Sequence, residues 1–446
     1  MSTDTLSAAA GVASQIAFDA ALRLRPPHDR LVALRKAGWE RFNALPMPRR
    51  LDEKWRFANT AAVTLEGFAP VAEPEAAVLS RLTENSHLVD DASGRMIFGD
   101  GHLVLNTGVS PELAAKGVVF EPLADAVKHR PALLDKFLLK SGTNLGGDKF
   151  LALHQAYVES GYVLYVPAGV VVDKPFVIYH WSVAAGAAFF PHTLVVAEEN
   201  AKVSVVDFFL SDTPAAAALS VSASDIHAAA GAGVFRKVVQ NWNERVHSHR
   251  IDCTHAGADA EVTTVAVNLG GKRDRFENAI RIHGKAAKVN LYGLTVADND
   301  QEFDQRTFQE HNAPGAYSDL LYKNALLDAA RTIFSGMIRV APDAQQTDAY
   351  QTNRNLLLSP DAEANSLPGL EIEANDVKCS HGATTAQLDE SELFYFLARG
   401  IHRDAAKELL VFGFFEEIIQ KVDSEELQDV LRDFVHSKFR RRRAKA

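Results

Sequence analysis

The chain has 446 residues, 47% of them apolar and 23% charged, with 47 basic side chains against 57 acidic ones. The net charge of −10 at pH 7 argues against nucleic acid or an anionic membrane as a partner across the whole surface. Two distant cysteines, Cys253 and Cys379, make no disulfide framework, and no apolar run approaches the ~18 residues of a membrane span. A cytoplasmic chain is expected. The N-terminus has no basic stretch ahead of an apolar one, and Asp4 and Asp19 argue against a transit peptide.

Residues 1–85 read as a helical region. Alanine-rich text covers residues 6–24, Pro26 and Pro27 break it, and Leu31, Leu34, Trp39 and Phe42 mark a second amphipathic stretch. Residues 51–59, LDEKWRFAN, read as an ordered surface segment. Residues 86–160 form a mixed connecting region, with short strands near Met96 to Leu105 and a helix near Pro131 to Leu139. From residue 161 to 385 period-2 strands take over, beginning YVLYV, FVIY and TLVV. No helical pattern of about twelve residues interrupts them, which excludes a sheet of βαβ units. Ala201, Ala230, Ala258, Ala286, Ala316 and Ala344 recur at spacings of 29, 28, 28, 30 and 28, each in a turn-like cluster. Such an array predicts a β-helix, with a sandwich or barrel as the alternative. Residues 386–446 return to helix. Asp389 with Glu392, and Asp423 with Glu426, have capping-box spacing, and Gly400 suits a helix stop. The closing run Lys438-Phe439-Arg440-Arg441-Arg442-Arg443 reads as a solvated tail.

No GxxxxGK[ST], CxxC or HExxH sequence occurs, so the chain binds no nucleotide through a P-loop, and any metal site is sparse or shared between chains. Alternation places His247, His249, Ile251, Cys253 and His255 on one strand face. That face could chelate a metal, or it could be the polar side of one strand with Cys253 packed. Cys379 and His381 share a face in the same way, where the strand array meets the C-terminal helices. A thiolate and an imidazole two residues apart can bind iron or zinc; the alternative is a buried thiol beside a hydrogen-bonded histidine.

The combined text is more specific than any one motif. RTIFSGMIRV at 331–340, QTNRNLLL at 351–358, Pro368, Leu370-Glu371-Ile372, DVKCSHGAT at 376–384, Leu388-Asp389, LFYF at 393–396 and Arg399-Gly400-Ile401 together resemble the SufB/SufD family. The match spans roughly residues 145–422, with an echo at Leu45-Pro46 and Glu53-Lys54-Trp55-Arg56, and the CSHGAT form resembles the SufD-type branch.

The resemblance implies a right-handed parallel β-helix flanked by helical ends, acting as a non-catalytic scaffold in iron–sulfur cluster assembly. The implied partners are a SufB-type paralogue, joined through the β-helix, and a SufC-type ATPase that hydrolyses the nucleotide. A homodimer of the chain alone stays open. The SufB-type branch has a cysteine in a C-D-S-L-L stretch where this chain reads Asn353-Arg354-Asn355-Leu356-Leu357, and a glutamate where Gly382 stands. This chain is therefore not expected to be the sulfur-accepting member. Its implied contribution is His381, with Cys379 second, offered to a transient cluster or iron shared with the paralogue. Val411, Phe415 and Ile419 on one helix face, with Arg399, are expected to bind the ATPase. A carbohydrate-active β-helix enzyme and a purely structural subunit are the other readings.

Overall fold

The computed structural model describes residues 11–24 and 29–445. Pro26 and Pro27, and the first part of the expected 6–24 helix, lie outside the described residues. The remainder of that helix is Gln15–Leu24, followed by Asp29–Ala44. The centre of the chain is a parallel β-solenoid of about 8 turns with helices at both ends.

Two ten-stranded sheets face each other across the lumen. The first holds β1 (Gly94–Gly99), β2 (His102–Asn106), β5 (Phe176–Ser182), β8 (Lys202–Ser211), β10 (Gly233–Asn241), β12 (Glu261–Asn268), β14 (Lys288–Ala297), β16 (Tyr317–Leu326), β18 (Asp348–Leu357) and β20 (Lys378–Gln387). The second holds β3 (Val119–Pro122), β4 (Gly161–Val166), β6 (Ala187–Phe189), β7 (His192–Ala197), β9 (Ala218–Ala228), β11 (Val246–Ala256), β13 (Arg273–Ile282), β15 (Glu302–His311), β17 (Arg331–Val340) and β19 (Glu363–Ile372). Because β1 pairs in parallel with β5, the first sheet reaches back beyond the expected start at residue 161.

Stacking in register builds columns of like residues. Val203, Val234, Val262 and Val289 are aligned and buried. The residues two positions earlier, Ala201, Ala232, Ala260, Ala287 and Ala316, are all fully buried. Ala230, Ala258 and Ala286 stand one or two residues before it, on turns, as their sequence clusters suggest. Only a small side chain fits where each coil bends over the one below, and the open backbone there pairs between coils, as in Gly231 N to Ala258 O at 2.8 Å.

The lumen is not purely apolar. The Tyr162 hydroxyl donates to Asp207 at 3.0 Å, and Arg236 links Asp207 to Asp252. Further along, Asn268, Thr295, Gln305, Asn324 and Asn355 connect by side-chain hydrogen bonds toward the last coil. Each partner offsets the cost of removing the others from water.

Much of the outer face of each sheet is covered, and the outer face of the last coils is open. The second sheet takes the N-terminal helices and the segment expected to lie on the surface, whose Trp55 is instead buried and donates to Gly146 O at 3.0 Å. Its ring also carries the Arg275 guanidinium 3.8 Å from its centre. The first sheet takes the helices Arg403–Ile419 and Glu425–Lys445. Val411, Phe415 and Ile419 are fully buried in that contact, among Val177, Phe208, Val265 and Leu294. This corrects their expected role as a partner surface. Burying side chains of that size contributes ~1.5–3 kcal/mol each, so the helices bury that face on their own solenoid. Lys323 pins the covering helix through Glu417 at 2.6 Å and Phe414 O at 2.8 Å. The C-terminal tail is anchored too: Lys438 is buried, with Nζ 2.6 Å from Gln301 Oε1 and 3.1 Å from Asp298. Ser424 rather than Asp423 caps the last helix, accepting from Leu427 N at 3.3 Å, while Asp423 pairs with Lys237 at 2.7 Å.

Candidate functional site

The two ends of the solenoid differ, and the C-terminal end places the family-like motif at an unfinished coil. β19 and β20 are the last strands of their sheets, ten residues each, with no neighbour beyond them among the described residues. Their backbone directions follow from the bonds they make. Lys378 N donates to Thr347 O at 2.8 Å, so even-numbered amides of β20 face β18. The amides of Cys379, His381, Ala383 and Thr385 therefore face the free edge. On β19, Glu363 N donates to Ala330 O and Glu373 N to Val340 O, so the even-numbered residues face the free edge.

Side-chain direction is fixed by register. His381 is the last member of the column Val205, Arg236, Thr264, Leu291, Leu320 and Gln351, every other member of which is buried. It therefore stands on the lumen side at the mouth of the solenoid, exposed because no further coil covers it. Cys379 ends the neighbouring column above Ala349 and is half-buried against Ile338, Val340 and Ala344. The expected shared face is thus the lumen face. Burial raises the Cys379 thiol above its ordinary value, so it is protonated at neutral pH. Its neighbour His381 is the readier ligand, since it is exposed at the mouth and an imidazole nitrogen suits iron.

Below this pair the mouth is lined with uncharged polar groups. Asn355 Nδ2 reaches Asn353 Oδ1 at 2.9 Å, Ser366 Oγ at 3.2 Å and Thr385 Oγ1 at 3.3 Å. Ser366 Oγ donates to Asn353 Oδ1 at 2.7 Å. Asn353 Nδ2 and Gln351 Oε1 are buried without a hydrogen-bond partner. Asn353 sits in the lumen and is fully buried, so the position is interior rather than surface. No group of three or more His, Cys, Asp or Glu residues converges on one point among the described residues. Iron or a cluster arriving here as substrate would find one imidazole and one thiol from this chain, which suits a shared site and not a closed one.

The second histidine group is arranged otherwise. The outer face of β11 is neither solvent-facing nor a chelate. His249 stacks on Phe150 with ring centres 3.7 Å apart, and Cys253 Sγ lies 3.6 Å from Ser141 O. His255 meets Ser141 Oγ at 3.0 Å and His283 at 3.1 Å, and stacks on His227. Burial, followed by the Arg275 charge, lowers His249 to about 3, and burial pushes Cys253 up to about 12. These groups are uncharged packing elements under the N-terminal cover. Sequence reasoning missed that cover, although outward apolar residues such as Ile251 and Val221 hinted that the face was hidden.

Of the residues expected to meet an ATPase, Arg399 alone is exposed, its guanidinium 3.6 Å from the Tyr395 ring centre. Around it Phe394 is 70% exposed and Tyr395 54%, with Leu397 and Leu409 also open. Sequence reasoning placed Phe394 in a helix but not at the surface.

Comparison with known proteins gives the family. The model of the SUF system FeS cluster assembly SufBD core domain matches residues 180–414, and that of the SufBD protein N-terminal region matches residues 25–178. The iron–sulfur cluster assembly protein SufD of Bacillus subtilis is 26% identical over 414 residues, covering 91% of this chain and 93% of its own. Escherichia coli SufD is 27% identical over 389 residues, 86% and 87% of the two chains. The chloroplastic protein ABCI7 of Arabidopsis thaliana is 28% identical over 417 residues, 91% and 85%. No helix among the described residues is long and apolar enough to cross a membrane. With the core model alone spanning more than half of the chain, this protein belongs to the SufB/SufD family of the SUF system of iron–sulfur cluster assembly.

Proposed function

We propose that the chain is the SufD-type scaffold subunit of a complex with a SufB-type paralogue and a SufC-type ATPase. In this reading the mouth of the solenoid docks on the paralogue's open end, and His381 gives one ligand to iron or to a growing cluster held between them. The observation that carries the reading is the placement of His381: its amide faces a free strand edge while its side chain closes a lumen column. Docking by strand addition therefore fixes the imidazole relative to the partner's ligands. The chain supplies position, one imidazole nitrogen donor and exclusion of water by the joined lumens. Sulfur acceptance falls to the partner, since Asn353 has no thiol. Nucleotide hydrolysis falls to the ATPase, which we place on the exposed patch of Phe394, Tyr395, Leu397, Arg399 and Leu409.

The test is His381→Ala in the co-expressed complex. Assembly with both partners should survive, because one exposed side chain contributes on the order of 1 kcal/mol or less. Iron and sulfide recovered with the complex should fall, and cells lacking a second assembly route should not grow. Clusters built at the wild-type rate would leave a purely structural subunit as the better description.

A further inference from the structure

We infer that Gln351, acting through an ordered water held beside Gly336, positions the His381 imidazole from inside the lumen. The inference rests on the reading of His381 as a ligand and adds what fixes the direction of its ring.

Two stretches that carry the family resemblance meet here. In RTIFSGMIRV the even-numbered residues Phe334, Gly336, Ile338 and Val340 face the lumen and are buried. In QTNRNLLL the odd-numbered residues Gln351, Asn353 and Asn355 face it from the opposite sheet. Gly336 stands in register between Thr307 on one side and Pro368 on the other. A Cβ at Gly336 would run into the Gln351 amide oxygen and stand 2.7 Å from Thr307 Oγ1. The backbone there is ordinary strand, so the glycine serves space and not conformation.

The polar groups around that space are oriented by the bonds they already make. Gln351 Nε2 donates to Gly336 O at 3.3 Å, which leaves Oε1 as an acceptor without a partner. Asn353 is the next inward residue of β18. Its Oδ1 accepts from Asn355 Nδ2 at 2.9 Å and from Ser366 Oγ at 2.7 Å, which leaves Nδ2 as a donor without a partner. Thr307 Oγ1 is unpartnered as well. Gln351, Asn353 and Thr307 are each at most 1% exposed. Leaving such groups unpaired costs more than a typical hydrogen bond contributes. An acceptor, a donor and a hydroxyl together suit a molecule that both gives and takes hydrogen bonds. Water does so, and a buried water needs about two to four polar partners. A cation would face the Asn353 N–H and an anion the Gln351 oxygen, so an ion fits the set less well.

His381 continues the lumen column directly above Gln351. Paired strands lie ~4.8 Å apart, a separation that a single water bridges. A histidine that binds metal through one ring nitrogen donates its other N–H to a fixed acceptor, which sets ring direction and tautomer. Gln351 Oε1, relayed by the water, is that acceptor. Gln351 is then a positioning residue and touches no iron itself.

The experiment labels the histidines of the full-length chain with nitrogen-15 and compares wild type with Gln351→Leu and Gly336→Ala. The His381 signals are identified by their loss in His381→Ala. Gln351→Leu removes the acceptor, and Gly336→Ala puts a methyl group into the water's place. Circular dichroism should be unchanged in both. The shifts of the two ring nitrogens report which of them carries the proton. Wild type should favour one tautomer, and each variant should change the ratio by about two- to tenfold. A second measurement needs no substitution. A crystal structure of wild type that resolves ordered solvent should show a water within about 3.2 Å of Gln351 Oε1. Wild type without that water overturns the inference, and so does a His381 tautomer ratio that ignores both substitutions. Failure of the ligand reading looks different: His381→Ala would build clusters at the wild-type rate in the co-expressed complex, while the water and the tautomer shift are both observed.

Discussion

Replacing Arg236 with methionine tests whether the lumen's ionic column is structural. Arg236 is fully buried and lies 3.2 Å from Asp207 and 3.1 Å from Asp252, and it donates to Ser224 Oγ at 2.8 Å. Methionine keeps most of the volume and removes the charge, leaving two buried carboxylates. Asp252 keeps Arg250 at 3.3 Å, while Asp207 keeps only the Tyr162 hydroxyl and His180 at 3.9 Å. Breaking a buried pair in this way typically costs about 3–5 kcal/mol. The sign with pH follows from Asp207. Burial opposes its ionisation, but His180 and Arg236 hold its carboxyl below the usual range. In wild type that group stabilises the fold above the unfolded carboxylate value of ~3.9, and the gain is lost as pH falls through the lower folded value. Without Arg236 the folded value rises, so the deficit is largest near pH 7 and shrinks as pH falls. Denaturant unfolding followed by the buried Trp181 and Trp242 measures it. A loss under ~1 kcal/mol that is the same at pH 7 and pH 5 would refute the reasoning. Adding Asp207→Asn to Arg236→Met should recover part of the loss, because the unpaired charge and not the missing volume causes it.

Two further outcomes follow. Phe394→Ala with Tyr395→Ala should reduce capture of the ATPase several-fold without moving the thermal midpoint, since both rings are exposed; pull-down and calorimetry check this. The buried His154 and His249, lowered to about 3, and His311, lowered to about 4, lie below the ordinary imidazole value of ~6.5. Their unfolded forms bind protons first, so stability should fall as pH drops below ~6.5 by up to ~1.4 kcal/mol per unit for each histidine, measurable from denaturant midpoints.

The solenoid was legible because its strands alternate, and because each coil repeats the pattern at nearly constant length. The alanines were harder. Several turns carry two of them, and only the register between coils separates Ala232 and Ala260 in the column from Ala230 and Ala258 on the turn. The amphipathic text of residues 403–419 was legible as a helix, but not what it packs on. The signal lay in the strands. VSVVDFFL in β8 is apolar at several outward as well as inward positions, which marks a strand covered on both sides. That reading would have buried Val411, Phe415 and Ile419 against the solenoid. The place of Trp55 beside Arg275 had no sequence signal, because the two are 220 positions apart and meet only through the cover. His381 was singled out through the motif around it; its lumen-facing direction follows from the alternation it shares with Cys379.

The two ends of the solenoid differ in what their backbone leaves unpaired. A stacked coil satisfies its own backbone everywhere except at its first and last strands. Here the N-terminal end is closed by short antiparallel strands: β2 on β1 with five residues, and β3 on β4 with four, ending in Pro122. Helices cover that region further. Among the described residues the C-terminal end keeps two ten-residue edges with no such closure. Long free edges are an aggregation hazard unless a partner fills them or charges and proline restrict them, and β19 carries both restrictions. The restricting residues of β19 are Pro368, Glu363 and Glu371. His381 belongs to the less restricted strand, where its amide can join a partner's ladder while its imidazole faces the shared lumen. On the proposed reading, docking and ligation are then one event. A partner strand that pairs in the wrong register by one residue would turn its own ligand to the outside. On that reading, the register that pairs the two edges would also align the metal donors of the two chains.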